Sequence, residues 1–221
     1  MDSSMKAPYL EAISGEATRL IGFARQDPGA TIPHYPTWTM ADLAEHLGGI
    51  YSRAAKVARD RAQERVSGTP LSEGEDPIER LERNLVEMVT ALRGIESSER
   101  VWSFLPDQSV AAWERRMTVE TGVHRWDAQQ ALETPEPLLE LAATSGLDEF
   151  PDLFLERLGE LPTLRLTATD LDRSWTYGAG PATATTVGTA SDLYLRLMAR
   201  PGGDLPDAWA AAVDGVPSAA A

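Results

Sequence analysis

The chain of 221 residues contains no cysteine. That excludes disulfides, thiolate metal ligands and a cysteine nucleophile, so any thiol chemistry must use a thiol brought in as cosubstrate. Basic residues are scarce. Twenty Lys and Arg stand against 34 Asp and Glu, for a formal net charge of −14. Up to Pro135 there are 15 basic and 21 acidic residues, and beyond it 5 and 13. Neither part offers the positive face that phosphate backbones require, which argues against nucleic acid and anionic membrane as partners. No apolar run is long enough to span a bilayer. The first residues, Met1 to Lys6, lack the basic segment and apolar core of a secretory signal. The expected location is cytoplasmic. Internal repeats are absent as well.

What is present is a hydrophobic fraction of 43%, enough for a packed core. Residues 4 to 26 carry Leu10, Ile13, Ala17, Leu20 and Ile21 on a helical stripe, stopped by Asp27-Pro28-Gly29. Thr31 to Trp38, with two prolines, reads as a stiff loop. Thr39 and Asp42 have the spacing of a capping box at the start of a second helix. Gly48-Gly49 inside that helix costs about 1 kcal/mol per glycine relative to alanine. Such a pair points to close approach of a neighbouring helix, or to room for a ligand beside His46.

Ser67 to Asp76 reads as a loop. Asp76-Pro77 caps and opens a third helix, with Ile78, Leu81, Leu85, Met88 and Leu92 on its apolar face and Gly94 at its end. After a connection with an apolar patch, Val101 to Leu105, a fourth helix is predicted from Gln108 to Glu133, stopped by Pro135 and Pro137. Four amphipathic helices of this length predict a four-helix bundle over residues 1–135.

Residues 136–221 differ in texture. Leu138 to Leu158 holds helical pieces. Leu164 to Thr169 and Ser174 to Tyr177 alternate as strands of a hairpin, and Ala182 to Val187 reads as a third strand. Ser191 to Arg200 reads as a helix capped by Ser191 or Thr189 and stopped by Pro201-Gly202-Gly203. Ala219 to Ala221 reads as a frayed end. The expected fold class is α+β: a helical bundle followed by a small C-terminal α/β domain.

The chemistry concentrates in Glu120-Thr-Gly-Val-His124-Arg-Trp-Asp127 and in His46. Glu120 and His124, four apart on a helix, share one face. If a facing helix brings His46 to the same point, two nitrogens and one oxygen surround a divalent cation with a coordination position left open. Asp127 could orient His124 from behind. The same spacings also fit a solvated surface pair, a packed lone histidine and an Asp127–arginine ion pair. His34, in the proline loop, reads as structural, and the six tryptophans read as packing residues.

Three segments resemble one family. Glu120-Thr-Gly-Val-His124-Arg-Trp-Asp127-Ala is similar to the E-x-x-x-H-R-W-D-A hallmark of the mycothiol-dependent maleylpyruvate isomerase family. Trp38-Thr-Met-Ala-Asp42-Leu-Ala-Glu-His46-Leu resembles its W-x-x-x-D-L-x-x-H-L segment, and Ala190 to Arg200 its closing A-D-L-x-L-x-L-x-x-R helix. The resemblance implies a DinB-like bundle with zinc held by His46, Glu120 and His124. It implies a C-terminal arginine, here Arg200, acting at the site. In this chain that helix runs into Arg-Pro, where the family often has L-W-x-R.

The activity so implied is zinc- and mycothiol-dependent. A metal-bound thiolate adds to a small-molecule electrophile, giving cis–trans isomerisation of a maleyl-type keto acid or S-conjugation. Arg200, Arg116 and Arg125 are candidates to hold an anionic substrate, although each also fits a surface ion pair. The rival reading is a non-enzymatic bundle that binds a ligand or partner and keeps its polar residues in a buried hydrogen-bond network. Oligomeric state is not legible.

Overall fold

The computed structural model describes residues 6–133 and 135–215; the tail Ala219 to Ala221 lies outside them. The chain divides into two compact units, Met1–Glu136 and Pro137–Ala221.

The first unit is a four-helix bundle of α1 (Lys6–Gln26), α2 (Met40–Asp60), α3 (Pro77–Arg93) and α4 (Val110–Leu132). The α2–α3 and α1–α4 pairs pack most extensively. The segment expected as a proline loop instead forms a short ribbon, β1 (Thr31–Ile32) antiparallel to β2 (Tyr35–Thr39). Its prolines do not forbid it: Pro33 sits in the turn, and a two-stranded ribbon is all edge. The ribbon runs straight into α2. There Thr39 Oγ1 accepts from Asp42 N–H (3.2 Å), and Asp42 accepts from Thr39 N–H (2.7 Å), completing the capping box.

Gly48 is explained by packing. A Cβ there would lie 3.5 Å from the Leu81 backbone of α3, and Asn84 Nδ2 donates to Gly48 O at 2.9 Å. Gly49 is covered by residues 67–70. A Cβ on Gly68 would overlap the Gly49 carbonyl. That strap is tied down where Ser52 and Thr69 hydroxyls meet at 3.0 Å and where Arg80 donates to Thr69 O. Asp76 caps α3 by accepting from Ile78 and Glu79 N–H, as its sequence predicts.

α4 is the inner helix. It begins at Val110, two residues later than expected, because Ser109 is extended and bridges Arg100, while Gln108 O accepts from Val101 N–H. Besides Trp113 and Met117 it buries Glu114, Thr118, Thr121, His124, Arg125, Asp127 and Gln129. Buried polar groups of this kind persist only when paired, and they are. Arg125 Nε donates to Glu16 of α1 at 2.7 Å and Nη1 to Gln129 at 2.9 Å. Glu114 accepts from Ser97 and faces Lys6 Nζ at 3.3 Å.

The second unit holds α5 (Glu140–Phe150), which continues through a wider π-turn at Pro151–Leu155 into the single turn α6 (Glu156–Leu158). A sheet of β3 (Leu164–Ala168), β4 (Ser174–Tyr177) and β5 (Ala184–Gly188) follows, then α7 (Ala190–Leu197) and α8 (Asp207–Gly215). β3 lies in the middle, antiparallel to β4 and parallel to β5. The predicted alternation holds: Leu164, Leu166, Trp175 and Tyr177 are buried.

Thr189, not Ser191, caps α7; the Ser191 hydroxyl accepts from Leu138 N–H. α7 ends three residues before Arg200, because Ala199 adopts a left-handed φ of +58° and turns the chain back. α8 was not foreseen. Its Trp209 is buried and donates to Pro162 O at 2.8 Å.

Candidate functional site

The site lies on the facing surfaces of α2 and α4, roofed by β2. His46 is in the second turn of α2, whose start is fixed by the capping box. Two helices side by side bring His46 and His124 edge to face, ring centroids 5.2 Å apart. One turn before His124, Glu120 Oε2 stands 3.4 Å from its Nε2. On the other side of the ring, His124 Nδ1 lies 3.1 Å from Oδ2 of Asp127, which is fully buried. The carboxylate–imidazole spacing expected from sequence is therefore met, and His46 comes to the same place.

β2 supplies an aromatic wall. Trp38 lies 5.0 Å from His46 by ring centroids and stacks on Tyr35 at 4.6 Å, and Tyr35 reaches within 6.2 Å of His124. Trp38 thus borders the site, where sequence reasoning had it only as packing. Tyr35 carried no sequence signal, because its place depends on the unforeseen ribbon. Beneath the site the Tyr51 hydroxyl meets Thr121 at 2.7 Å, which locks α2 to α4. A cleft of about 360 Å³ opens from His46 past Gly49 toward Arg80.

Electrostatics follow from this crowding. Burial, then the charge of His124, pushes the His46 pKa down to about 4. Burial acts to raise Glu120, but the Arg116 guanidinium and both imidazoles outweigh it and hold the carboxyl well below its usual range. Burial acts to lower His124, but Asp127 and Glu120 outweigh it and raise it. Arg116 pairs directly with Glu120.

Among the described residues no three His, Cys, Asp or Glu side chains stand as a ready cage for a metal ion. Arg116 pairs with one oxygen of Glu120, and the other oxygen faces His124. The donor chemistry nonetheless suits a divalent cation. Two ligands of one tetrahedral ion, each about 2.1 Å from it, lie roughly 3.4 Å apart, and His124 Nε2 and Glu120 Oε2 are 3.4 Å apart. A carboxylate behind the far ring nitrogen, here Asp127, is the usual outer partner of a metal-bound histidine.

The three candidate anion-binding arginines part company. Arg116 is in the site but engaged by Glu120. Arg125 is not a surface ion pair; it is fully buried against Glu16, and its Nη1 also donates to Glu136 O at 2.9 Å. Arg200 belongs to the second unit and is buried too, with Nη1 donating to Met198 O at 3.0 Å. His34 packs edge-on against Tyr35. Sequence reasoning passed over Arg53, which lies seven residues after His46 and so on the same face of α2.

Comparison with known proteins gives two findings. The sequence profile of the family described as mycothiol maleylpyruvate isomerase N-terminal domain matches residues 10–129. Two solved structures share the fold with a TM-score of 0.68: a crystal structure of the mycothiol-dependent maleylpyruvate isomerase and one of its histidine-to-alanine variant. Each is 12% identical to this chain, and each alignment covers 94% of this chain and 96% of the other. No curated protein matches by sequence.

Proposed function

The chain belongs to the mycothiol maleylpyruvate isomerase family through its N-terminal domain, and from that premise we propose an enzyme that uses mycothiol as thiol cosubstrate against a small electrophile. The observation that carries the reading is the meeting of His46 with the Glu120–His124 couple on facing helices. These three residues would hold a zinc ion. Bound there, zinc supplies positive charge that lowers a thiol's pKa, so that thiolate exists at neutral pH.

The protein's own part is orientation and exclusion of water. Asp127 fixes the ring of His124. Trp38 and Tyr35 wall off the imidazoles. Arg116 holds Glu120 ionised. Arg200, by its match to the family's C-terminal arginine, would contribute a cation to an anionic substrate.

The reaction we assign starts with a sulfur–carbon bond to an activated alkene, as the double-bond pair moves onto the conjugated carbonyl oxygen. Rotation about the new single bond follows. Return of the pair expels the thiolate and leaves the trans isomer, with no net consumption of thiol. If the carbanion is protonated instead, the product is a thioether. The first step is common to isomerase and S-transferase. A cytoplasmic setting, where small thiols stay reduced, fits this chemistry.

A second reading has its own support. Glu120, His124 and Asp127 already satisfy one another with Arg116, as they would in a binding module with a purely structural polar cluster. Product analysis separates the readings. The zinc-loaded protein with mycothiol and a cis-enedione acid should yield a trans product with free thiol recovered, or a stable thioether. An unchanged substrate across a panel of electrophiles would favour the module.

A further inference from the structure

Arg53 is out of keeping with the rest of the molecule. In a chain with 34 carboxylate side chains and only 20 Lys and Arg, a half-buried arginine would be expected to find an acidic partner. Yet its Nε is buried without a hydrogen-bond partner, and among the described residues no carboxylate pairs with it. Its near electrostatic neighbours are Glu120, which Arg116 already engages, and Arg65, which is exposed and has the same sign. Desolvating a guanidinium without a partner costs free energy, and such costs persist where a ligand supplies the missing group.

The surroundings describe that ligand. The guanidinium carbon sits 5.5 Å from the ring centroid of Phe104, one of the few large apolar side chains left exposed. Phe104 in turn packs edge-on against Trp102 and tilted against the buried Trp113, which anchors an exposed apolar ring beside the charge. Along α2, His46, Gly49 and Arg53 form one half-buried line, with the strap of residues 67–70 against the Gly49 carbonyl. The Cα atoms of His46 and Arg53 are about 10 Å apart along the axis. His46 and Glu120 both lie within electrostatic reach of the Arg53 guanidinium. A guanidinium fork matches a carboxylate in two parallel hydrogen bonds.

We propose that Arg53 is the carboxylate-recognition residue of this site. It pairs with an anionic group of the electrophile whose reactive carbon lies by His46, Glu120 and His124, while Phe104 covers the electrophile's apolar body. The assignment rests on the reading of the site as an enzyme that acts on a small acid. It gives Arg53 a task that Arg116 and Arg125 cannot perform, both being already paired.

The test is a binding measurement on the full chain, without added zinc or thiol. Maleate serves as the probe and dimethyl maleate as its uncharged control. The wild-type protein should bind maleate. Arg53→Gln should weaken it at least tenfold, Arg53→Lys should recover part of the loss, and dimethyl maleate should bind all three proteins alike. The melting temperature of Arg53→Gln should be unchanged or higher, because the substitution removes a half-buried charge whose Nε has no partner.

Equal maleate affinity in wild type and Arg53→Gln overturns the proposal, as does a wild type that ignores maleate. So does a variant that melts earlier and loses both probes, which makes the role structural. Arg53-dependent maleate binding in a protein that never takes up zinc or reacts with thiol would refute the enzyme reading and leave the anion site standing.

Discussion

Asp127 is the residue whose role can be isolated most cleanly. It is fully buried and meets the far nitrogen of His124. Asp127→Asn keeps the shape but removes the charge that sets the ring. Outer-shell losses of this kind weaken metal binding by roughly 10- to 100-fold. Competition with a chelator of known zinc affinity should show that drop, with the circular dichroism spectrum unchanged. Residues on one element were the most legible in the sequence. Four-residue spacing obliges Glu120 and His124 to share a face, and the fold sets them 3.4 Å apart. Arg125, one position further along, was misread because its partner Glu16 comes from another helix. Single-chain spacing carries no information about that partner. Arg53 had a legible position, seven residues after His46, but its missing partner shows only in three dimensions.

At the scale of elements, caps and periodicity gave α2 and α3 their starts nearly to the residue, because a cap is a local hydrogen bond between near neighbours in sequence. The ribbon of β1 and β2 was missed because its pairing is only a few residues long and is interrupted by prolines. α8 was missed because its anchor, Trp209, is recognisable only by the surface it covers. The glycine pair of α2 serves two packing partners, α3 at Gly48 and the strap of residues 67–70 at Gly49. Gly68→Ala drives a methyl group into the Gly49 carbonyl, and relief requires the strap to lift. A loss of about 1–3 kcal/mol is expected, visible as a lower urea midpoint. Gly74→Ala offers no comparison because its φ is positive; Gly15→Ala, with open space around it, is the control and should not destabilise.

On the scale of the whole chain, the residues singled out from the sequence fall in both units. The first holds the imidazoles and Glu120, and the second holds Arg200. If Arg200 serves the substrate and not the metal, Arg200→Ala should leave zinc content intact while kcat/KM falls about thirtyfold or more, the scale of losing one partner of a buried charged pair. Equal losses of zinc and activity would place its role in folding instead.

The most direct measurement is the metal content of the purified full-length protein after zinc loading and desalting, for wild type, His46→Ala, Glu120→Gln and His124→Ala. One zinc per wild-type chain, lost in each folded variant, is the predicted result. A folded wild type that retains no divalent metal, or a His46→Ala protein that holds zinc as tightly as wild type, would contradict the convergence of these three side chains on one cation.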